Sequence, residues 1–206
     1  MVKIAAIILA AGCSTRFAAA GGLETTKLTA GLGGKPLARY AAEAALASSA
    51  RPVVVVTGHA SADVEAALRG LALNIVFNAR FFSGLASSLR AGIAALPGDV
   101  DGAVVLLADM PAVTGRLIDR LIAKFAERPE ALAAAPVQGG RRGNPILLAA
   151  ALFPAVAQLE GDEGARRLLD GLPAERLLEA PIDGEGATLD VDTPEGLAAA
   201  RRALKI

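Results

Sequence analysis

The first apolar run of the chain, residues 3–9, is continuous rather than alternating. A strand buried on both faces reads this way, whereas a strand with one wet face alternates. Further strands are predicted over 52–57 (PVVVVT), 73–78, 101–107 (DGAVVLL) and 132–137. Helices are predicted between them, over 36–48, 61–70, 83–96 and 114–128. Pro36 falls in the first turn of its helix, Asp63 and Glu65 in the first turn of theirs, and Thr114 is an N-cap. Residues 17–34 are rich in Gly, Ala and Thr without a helical period, which predicts a long loop of functional interest. Beyond 137 the pattern predicts a turn over 139–145, a short strand from 146, helical segments over 150–159 and 164–169, and late strands at 177–180 and 188–191. Thr193 caps a last helix with Pro194 at its first position.

Strands and helices alternate through the first two-thirds. That order predicts βαβ units, and hence a three-layer α/β sandwich with a mostly parallel, twisted sheet. No repeat or linker interrupts it, so residues 1–206 are expected to form one domain. Composition adds bounds. Hydrophobic residues make up 53% but aromatics only 3%, so the core is built from aliphatic packing. The 21 Lys and Arg balance the 21 Asp and Glu, which argues against a general nucleic-acid binder but leaves room for a local cationic pocket. The lone Cys13 cannot form an intrachain disulfide, and no stretch is long and apolar enough to span a membrane, so a cytoplasmic location is expected. The apolar start reads as a buried strand rather than a signal peptide, because it is short and runs into a Gly-Ser-Arg loop.

Four places carry candidate chemistry. The loop Leu9-Ala10-Ala11-Gly12-Cys13-Ser14-Thr15-Arg16 follows the first strand, where ligands of open α/β sheets bind. Its small residues let the backbone approach a base and triphosphate, and Arg16 offers a fork of donors to phosphate oxygens. It lacks both G-x-G-x-x-G and the Walker lysine, so neither a dinucleotide site nor a P-loop is supported. Lys27, in the long loop, shares that region and is a second candidate phosphate ligand; Lys35 is its nearby competitor and could also reach the site. Asp109 ends the strand VVLLADMP and is suited to hold Mg²⁺ with substrate phosphates. Asp190 and Asp192, two residues apart on an extended segment, point to one face, and one or both could join Asp109 around a metal. The bland readings are an ordinary βα turn, a solvated lysine, a turn aspartate and a helix-entry turn. His59, the lone histidine, reads as a plain loop residue, and no His or Cys cluster has metal-ligand spacing.

In order along the chain these motifs resemble the nucleotidyltransferase family that includes the molybdenum-cofactor transferases. The blocks are Leu9 to Arg16, Lys27-Leu28, Gly34-Lys35-Pro36-Leu37, and Asn78 with Gly84, Ser87, Ser88 and Leu89. They continue with Asp109-Met110-Pro111, Gly143-Asn144-Pro145, Gly161-Asp162-Glu163-Gly164-Ala165-Arg166, and Asp190 to Glu195. Ala11, Ala108-Asp109-Met110-Pro111 and the G-D-x-G-A-R block are closest to the CTP:molybdopterin cytidylyltransferase branch; Asn144 stands where His is common. The resemblance implies a Rossmann-like nucleotidyltransferase fold of the glycosyltransferase-A type. It implies transfer of CMP from CTP to the phosphate of molybdopterin, with release of pyrophosphate. Arg16, Lys27 and Asp109 would be catalytic, and Leu9, Ala10, Ala11, Gly12, Ser14, Asn78, Gly84 and Ser88 would join them in binding nucleotide. Asn144, Gly161 and Asp162 would face the acceptor, and Asp109, Asp192 and alternatively Asp190 would bind Mg²⁺. A cofactor-receiving molybdoenzyme or its chaperone would be the downstream partner, with no role for nucleic acid or membrane.

Three other readings compete. Another transferase on the same fold could use methylerythritol phosphate or a sugar phosphate, or transfer a guanylyl group. A non-catalytic nucleotide- or cofactor-binding protein predicts decay of the charged set, yet Arg16, Lys27, Asp109 and Asp192 are all present. A Rossmann oxidoreductase is disfavoured by the missing glycine fingerprint.

Overall fold

A computed structural model describes residues 2–182 and 187–206. Its centre is an eight-stranded sheet. The strands are β1 (Ile4–Ala10), β4 (Val53–Thr57), β5 (Asn74–Phe77), β6 (Gly102–Leu107), β7 (Ala133–Gln138), β8 (Arg141–Arg142), β9 (Ile146–Ala149) and β10 (Leu177–Pro181). The order runs β10-β7-β9-β6-β1-β4-β5, with β8 paired to β7. β1 pairs in parallel with β4 on one side and β6 on the other. β9 is antiparallel to both neighbours, β6 and β7. After β7 the chain reverses through Gly139 and Gly140, both at positive φ, and returns without a crossover, so β9 cannot be parallel.

Helices cover both faces. On one side Ile4, Ala6 and Ile8 of β1 pack in a cluster with α2 (Leu37–Ala47), α3 (Ser61–Ala67) and α5 (Gly115–Ala126). On the other, Ala5, Ile7 and Leu9 pack with α4 (Leu85–Ala94), α6 (Phe153–Val156) and α7 (Ala165–Leu169). This two-sided burial explains the unbroken apolar run of β1. Thr114 caps α5 as expected, accepting from the Leu117 N–H, and Thr193 caps α8 (Pro194–Leu204) by accepting from Gly196. Among the described residues no helix is long and apolar enough to cross a membrane.

Three expectations need correction. The long loop contains α1 (Thr15–Ala19), a 3-10 turn at Lys27–Thr29, and an antiparallel pair of β2 (Gly31–Leu32) with β3 (Lys35–Pro36). These elements are too short to show a period. Pro36 is the N-cap of α2 rather than in its first turn. Residues 188–191 form no strand: the Val191 N–H donates to the Asp109 carbonyl at 3.0 Å, a single tie where a ladder was expected. Val191 itself is buried with Leu32, Leu37 and Ala200, which anchors the segment under α8.

Candidate active site

The sheet dictates where a ligand can sit. From β1 the chain goes to β4 and β5 on one side, then returns to β6 on the other. The loops after β1 and β6 therefore diverge and leave a crevice at the C-terminal ends of the strands. A cavity of about 600 Å³ opens there. Its walls include Leu9 to Phe17, Lys27, Leu28, Phe81, Phe82, Gly84, Leu85, Ser88, Leu107, Asp109, Asp162, Asp190 and Asp192.

Lys27 lies at the heart of its charged end. Its Nζ donates to Asp109 Oδ2 at 2.5 Å and to Asp192 Oδ1 at 2.7 Å. Arg16 reaches Asp192 Oδ2 at 2.6 Å. The residues are 82 and 165 positions apart for the two lysine contacts, so only folding joins them. The Lys27 side chain is 13% exposed and that of Arg16 77%, so the lysine is preset and the arginine is free to swing. Burial works against the Lys27 charge, but Asp109 and then Asp192 outweigh it and hold the ammonium above the usual lysine range. Asp190 stands at the rim. Its partial desolvation first, then the charges of Asp192 and Asp109, push its carboxyl above the usual carboxylate range.

Local structure explains each placement. Ser14 adopts the left-handed conformation, φ 54°, at the entry to α1. Its Oγ accepts from the Lys27 N–H at 3.2 Å and lies 3.0 Å from Thr26 Oγ1, so the Ser14 side chain sets the lysine's backbone. Thr26, fully buried, caps the 3-10 turn that starts at Lys27. Asp109 follows β6 just where the ladder ends. Buried Val191 turns its neighbours Asp190 and Asp192 to the cavity, as the two-residue spacing predicts.

Most residues singled out in the sequence meet in this cavity: Leu9, Ala10, Ala11, Gly12, Ser14, Arg16, Lys27, Gly84, Ser88, Asp109, Asp162, Asp190 and Asp192. Three do not line it. Asn78 is buried behind the wall, donating to Ser87 Oγ at 2.9 Å and Ser88 Oγ at 3.1 Å, so it braces Ser88. Gly161 backs onto Gly84: its carbonyl accepts from Ala86 at 3.0 Å. Asn144 ties its N–H to the Ala187 carbonyl at 2.9 Å. Lys35 turns away to pair with Glu43 over the Tyr40 ring, leaving Lys27 as the cavity's lysine. His59 contacts the Thr25 carbonyl at 3.3 Å and is not part of the wall. Sequence reasoning missed Thr26, Phe81 and Phe82. The adjacent Phe pair, in a chain with six Phe, was the signal available.

The donor set fits a hard divalent cation. Asp109 and Asp192 already converge on one positive centre, and Asp109 Oδ1 is buried without a partner among the described residues. No three Asp, Glu, His or Cys side chains among those residues form a metal cluster by themselves. Mg²⁺-type sites, however, commonly take one or two carboxylates and complete the shell with water and substrate phosphates. The charge balance points the same way. Arg16 and Lys27 face four lining carboxylates, Asp109, Asp162, Asp190 and Asp192. A polyphosphate entering that acidic cavity needs a counter-ion.

Comparison with known proteins bears on this geometry. The model of the MobA-like NTP transferase domain matches residues 6–178, which include Arg16, Lys27 and Asp109. The chain is 34% identical to the purine catabolism protein PucB of Bacillus subtilis, over 96% of each chain. It is 31% identical to nicotine blue oxidoreductase of Paenarthrobacter nicotinovorans, over 93% of each. Among solved structures, Rv0371c of Mycobacterium tuberculosis superposes with a TM-score of 0.83 at 24% identity, covering 98% of both chains. A nucleotidyl transferase from Methanothermobacter thermautotroptrophicus superposes with a TM-score of 0.79 at 26% identity, again covering 98% of both. With its mostly parallel sheet and its cavity beyond β1 and β6, the chain is a nucleotidyltransferase and belongs to the MobA-like NTP transferase family.

Proposed function

We propose that this chain transfers CMP from CTP to the terminal phosphate of molybdopterin in the cytoplasm, releasing pyrophosphate. The observation that carries the reading is the meeting of Arg16, Lys27, Asp109 and Asp192 in one cavity next to the small-residue loop after β1. The acceptor's phosphate oxygen attacks the α-phosphorus, a new P–O–P link forms, and the bond to the β-phosphate oxygen breaks, its electron pair leaving with pyrophosphate. That oxygen is already ionised at neutral pH, so no strong general base is required. The catalytic burden is charge stabilisation.

Arg16 and Lys27 bind and orient the triphosphate, Arg16 by swinging from Asp192 and Lys27 from a fixed position. Asp109 and Asp192 would hold Mg²⁺, with Asp190 as the alternative ligand; the ion, when bound, supplies charge neutralisation on the phosphates. A manganese complex of Rv0371c supports a divalent site in this fold. Leu9 to Gly12, Gly84 and Ser88, which line the cavity, would hold the nucleotide, and Asp162, which also lines it, would face the acceptor. Asn78 and Gly161 act behind those walls, and Asn144 is carried as an acceptor residue by the resemblance alone. A molybdoenzyme or its chaperone would receive the product.

Base choice rests on the cytidylyl-type motifs and on Ala11. Ala11 is 3% exposed, and its methyl faces Gly58, where an added Cβ would come within 2.8 Å of it. The methyl packs into the wall rather than into the cavity, so it would act by fixing the path of the loop backbone, whose hydrogen bonds to the cytosine edge would carry the discrimination. The test is pyrophosphate release from CTP, GTP, ATP and UTP against molybdopterin, methylerythritol phosphate and a sugar 1-phosphate. CTP with molybdopterin should give the highest kcat/KM. Preference for GTP overturns the cytidylyl reading, and an unchanged CTP preference in Ala11→Gly makes Ala11 a marker of the branch rather than its cause. A hydride-transfer reading draws on one relative's name, and the loop after β1 lacks the glycine fingerprint it needs.

A further inference from the structure

The 3-10 turn Phe81–Ser83 presents an aromatic ring that the fold leaves unused. Phe82 lines the cavity yet is 75% exposed. Phe81 holds it edge-on, with ring centroids 6.0 Å apart at 76°, so the faces of the Phe82 ring are not stacked by Phe81. The turn that carries it is braced. The Arg80 N–H donates to Asn78 Oδ1 at 3.0 Å, and the single Ser87 hydroxyl proton is shared between the Arg80 and Gly84 carbonyls, 2.8 and 2.9 Å away. Gly84, at φ +93°, lies against the Gly161 backbone, where a Cβ would come within 2.2 Å. Phe82 is thus an exposed apolar ring on a backbone that cannot easily retreat. Free rings of this kind serve planar ligands, since any heteroaromatic face can stack on them.

Two rings enter the proposed reaction, the base and the acceptor's. Among the residues lining the cavity, Leu9 and Ala11 of the nucleotide-side loop are 7% and 3% exposed, whereas Phe82 is one of its most exposed apolar groups. Gly84, read above as a nucleotide-side residue, is where the two sides meet: its contact with Gly161 joins the Phe82 turn to the segment bearing Asp162, which also lines the cavity. We infer that Phe82 is a positioning and specificity residue that stacks on the planar heteroaromatic ring of the phosphate-bearing acceptor. The inference rests on the acceptor reading above, and adds that the acceptor's ring system, not its phosphate alone, is recognised.

The probe is 6-hydroxymethylpterin monophosphate, titrated with the CTP- and Mg²⁺-loaded chain and followed by pterin fluorescence. Phe82→Ala should weaken its binding roughly tenfold or more, and Phe82→Trp should restore it. The Kd for CTP, measured separately, should stay within about twofold in both variants. Equal pterin binding by wild type and Phe82→Ala overturns this inference and leaves the acceptor reading standing. Weakened CTP binding in Phe82→Ala, with pterin binding unchanged, assigns the ring to the base and also overturns it. A wild-type chain that ignores the pterin and uses methylerythritol phosphate overturns the acceptor reading, and this inference falls with it.

Discussion

Asp109 and Gly12 separate chemistry from architecture at the scale of single residues. Asp109 holds Lys27 through one oxygen and leaves the other buried and unpartnered among the described residues. Asp109→Ala should lower kcat roughly a hundredfold or more, because loss of a metal carboxylate removes several kcal/mol of transition-state stabilisation. Circular dichroism should remain that of the wild type, since Asp192 still holds Lys27. A variant turning over at nearly the wild-type rate would make Asp109 structural. Gly12 differs in kind. A Cβ built there meets nothing within 4 Å, and the residue faces the cavity. Gly12→Val should therefore fold normally and raise the KM for CTP about tenfold by filling nucleotide space. A large fall in thermal stability with unchanged KM would mean that the glycine serves the loop and not the ligand.

Elements hold these residues through close backbone contacts, and the turn between β5 and α4 makes one of the tightest of them. Gly84→Ala introduces both an unfavourable φ and a clash with Gly161 and Asp162 backbone atoms. It should cost about 2 kcal/mol or more, lowering Tm by roughly 4–8 °C. Differential scanning calorimetry reads this directly, and an unchanged Tm would show that the 161–162 segment yields. Legibility at this scale follows length. The helix over Gly115–Ala126 shows its period and its Thr114 cap in the sequence, because about three turns of amphipathic pattern and a polar cap are local facts. The five residues of α1 and the three of the Lys27 turn carry no period, so they were hidden inside what reads as loop. The alternating segment 188–191 reads as a strand, but its neighbour is the single carbonyl of Asp109 and not a sheet edge.

For the whole molecule the question is how a cavity with more carboxylates than cations stays intact before substrate arrives. Lys27 and Arg16 already partner Asp109 and Asp192. EDTA should therefore abolish pyrophosphate release while shifting Tm by less than about 2 °C, as measured by differential scanning fluorimetry. A large fall in Tm would make the metal structural. Lys27→Met should behave oppositely. The carboxylates lose their shared cation, the metal-free chain should lose roughly 1–3 kcal/mol, and added Mg²⁺ should return part of it. Failure of Mg²⁺ to stabilise this variant would speak against the carboxylate pair as the metal site.

The sequence by itself determined the layers and the order of strand and helix, since continuous apolar runs and amphipathic periods depend only on near neighbours. It also marked the chemical residue types, and the small-residue loop after β1 with Asp109 after β6 was legible because ligands of such sheets bind beyond strand ends. Tertiary structure decided which of these meet. Neighbouring motif blocks contain Lys27 and Lys35, yet one faces two carboxylates and the other Glu43. Asn78, Gly161 and Asn144 belong to blocks as distinct as those of Asp109 and Asp162, yet they lie off the cavity wall. Side-chain direction at a loop depends on contacts from distant segments, as when buried Val191 aims Asp190 and Asp192, and no local pattern encodes those contacts.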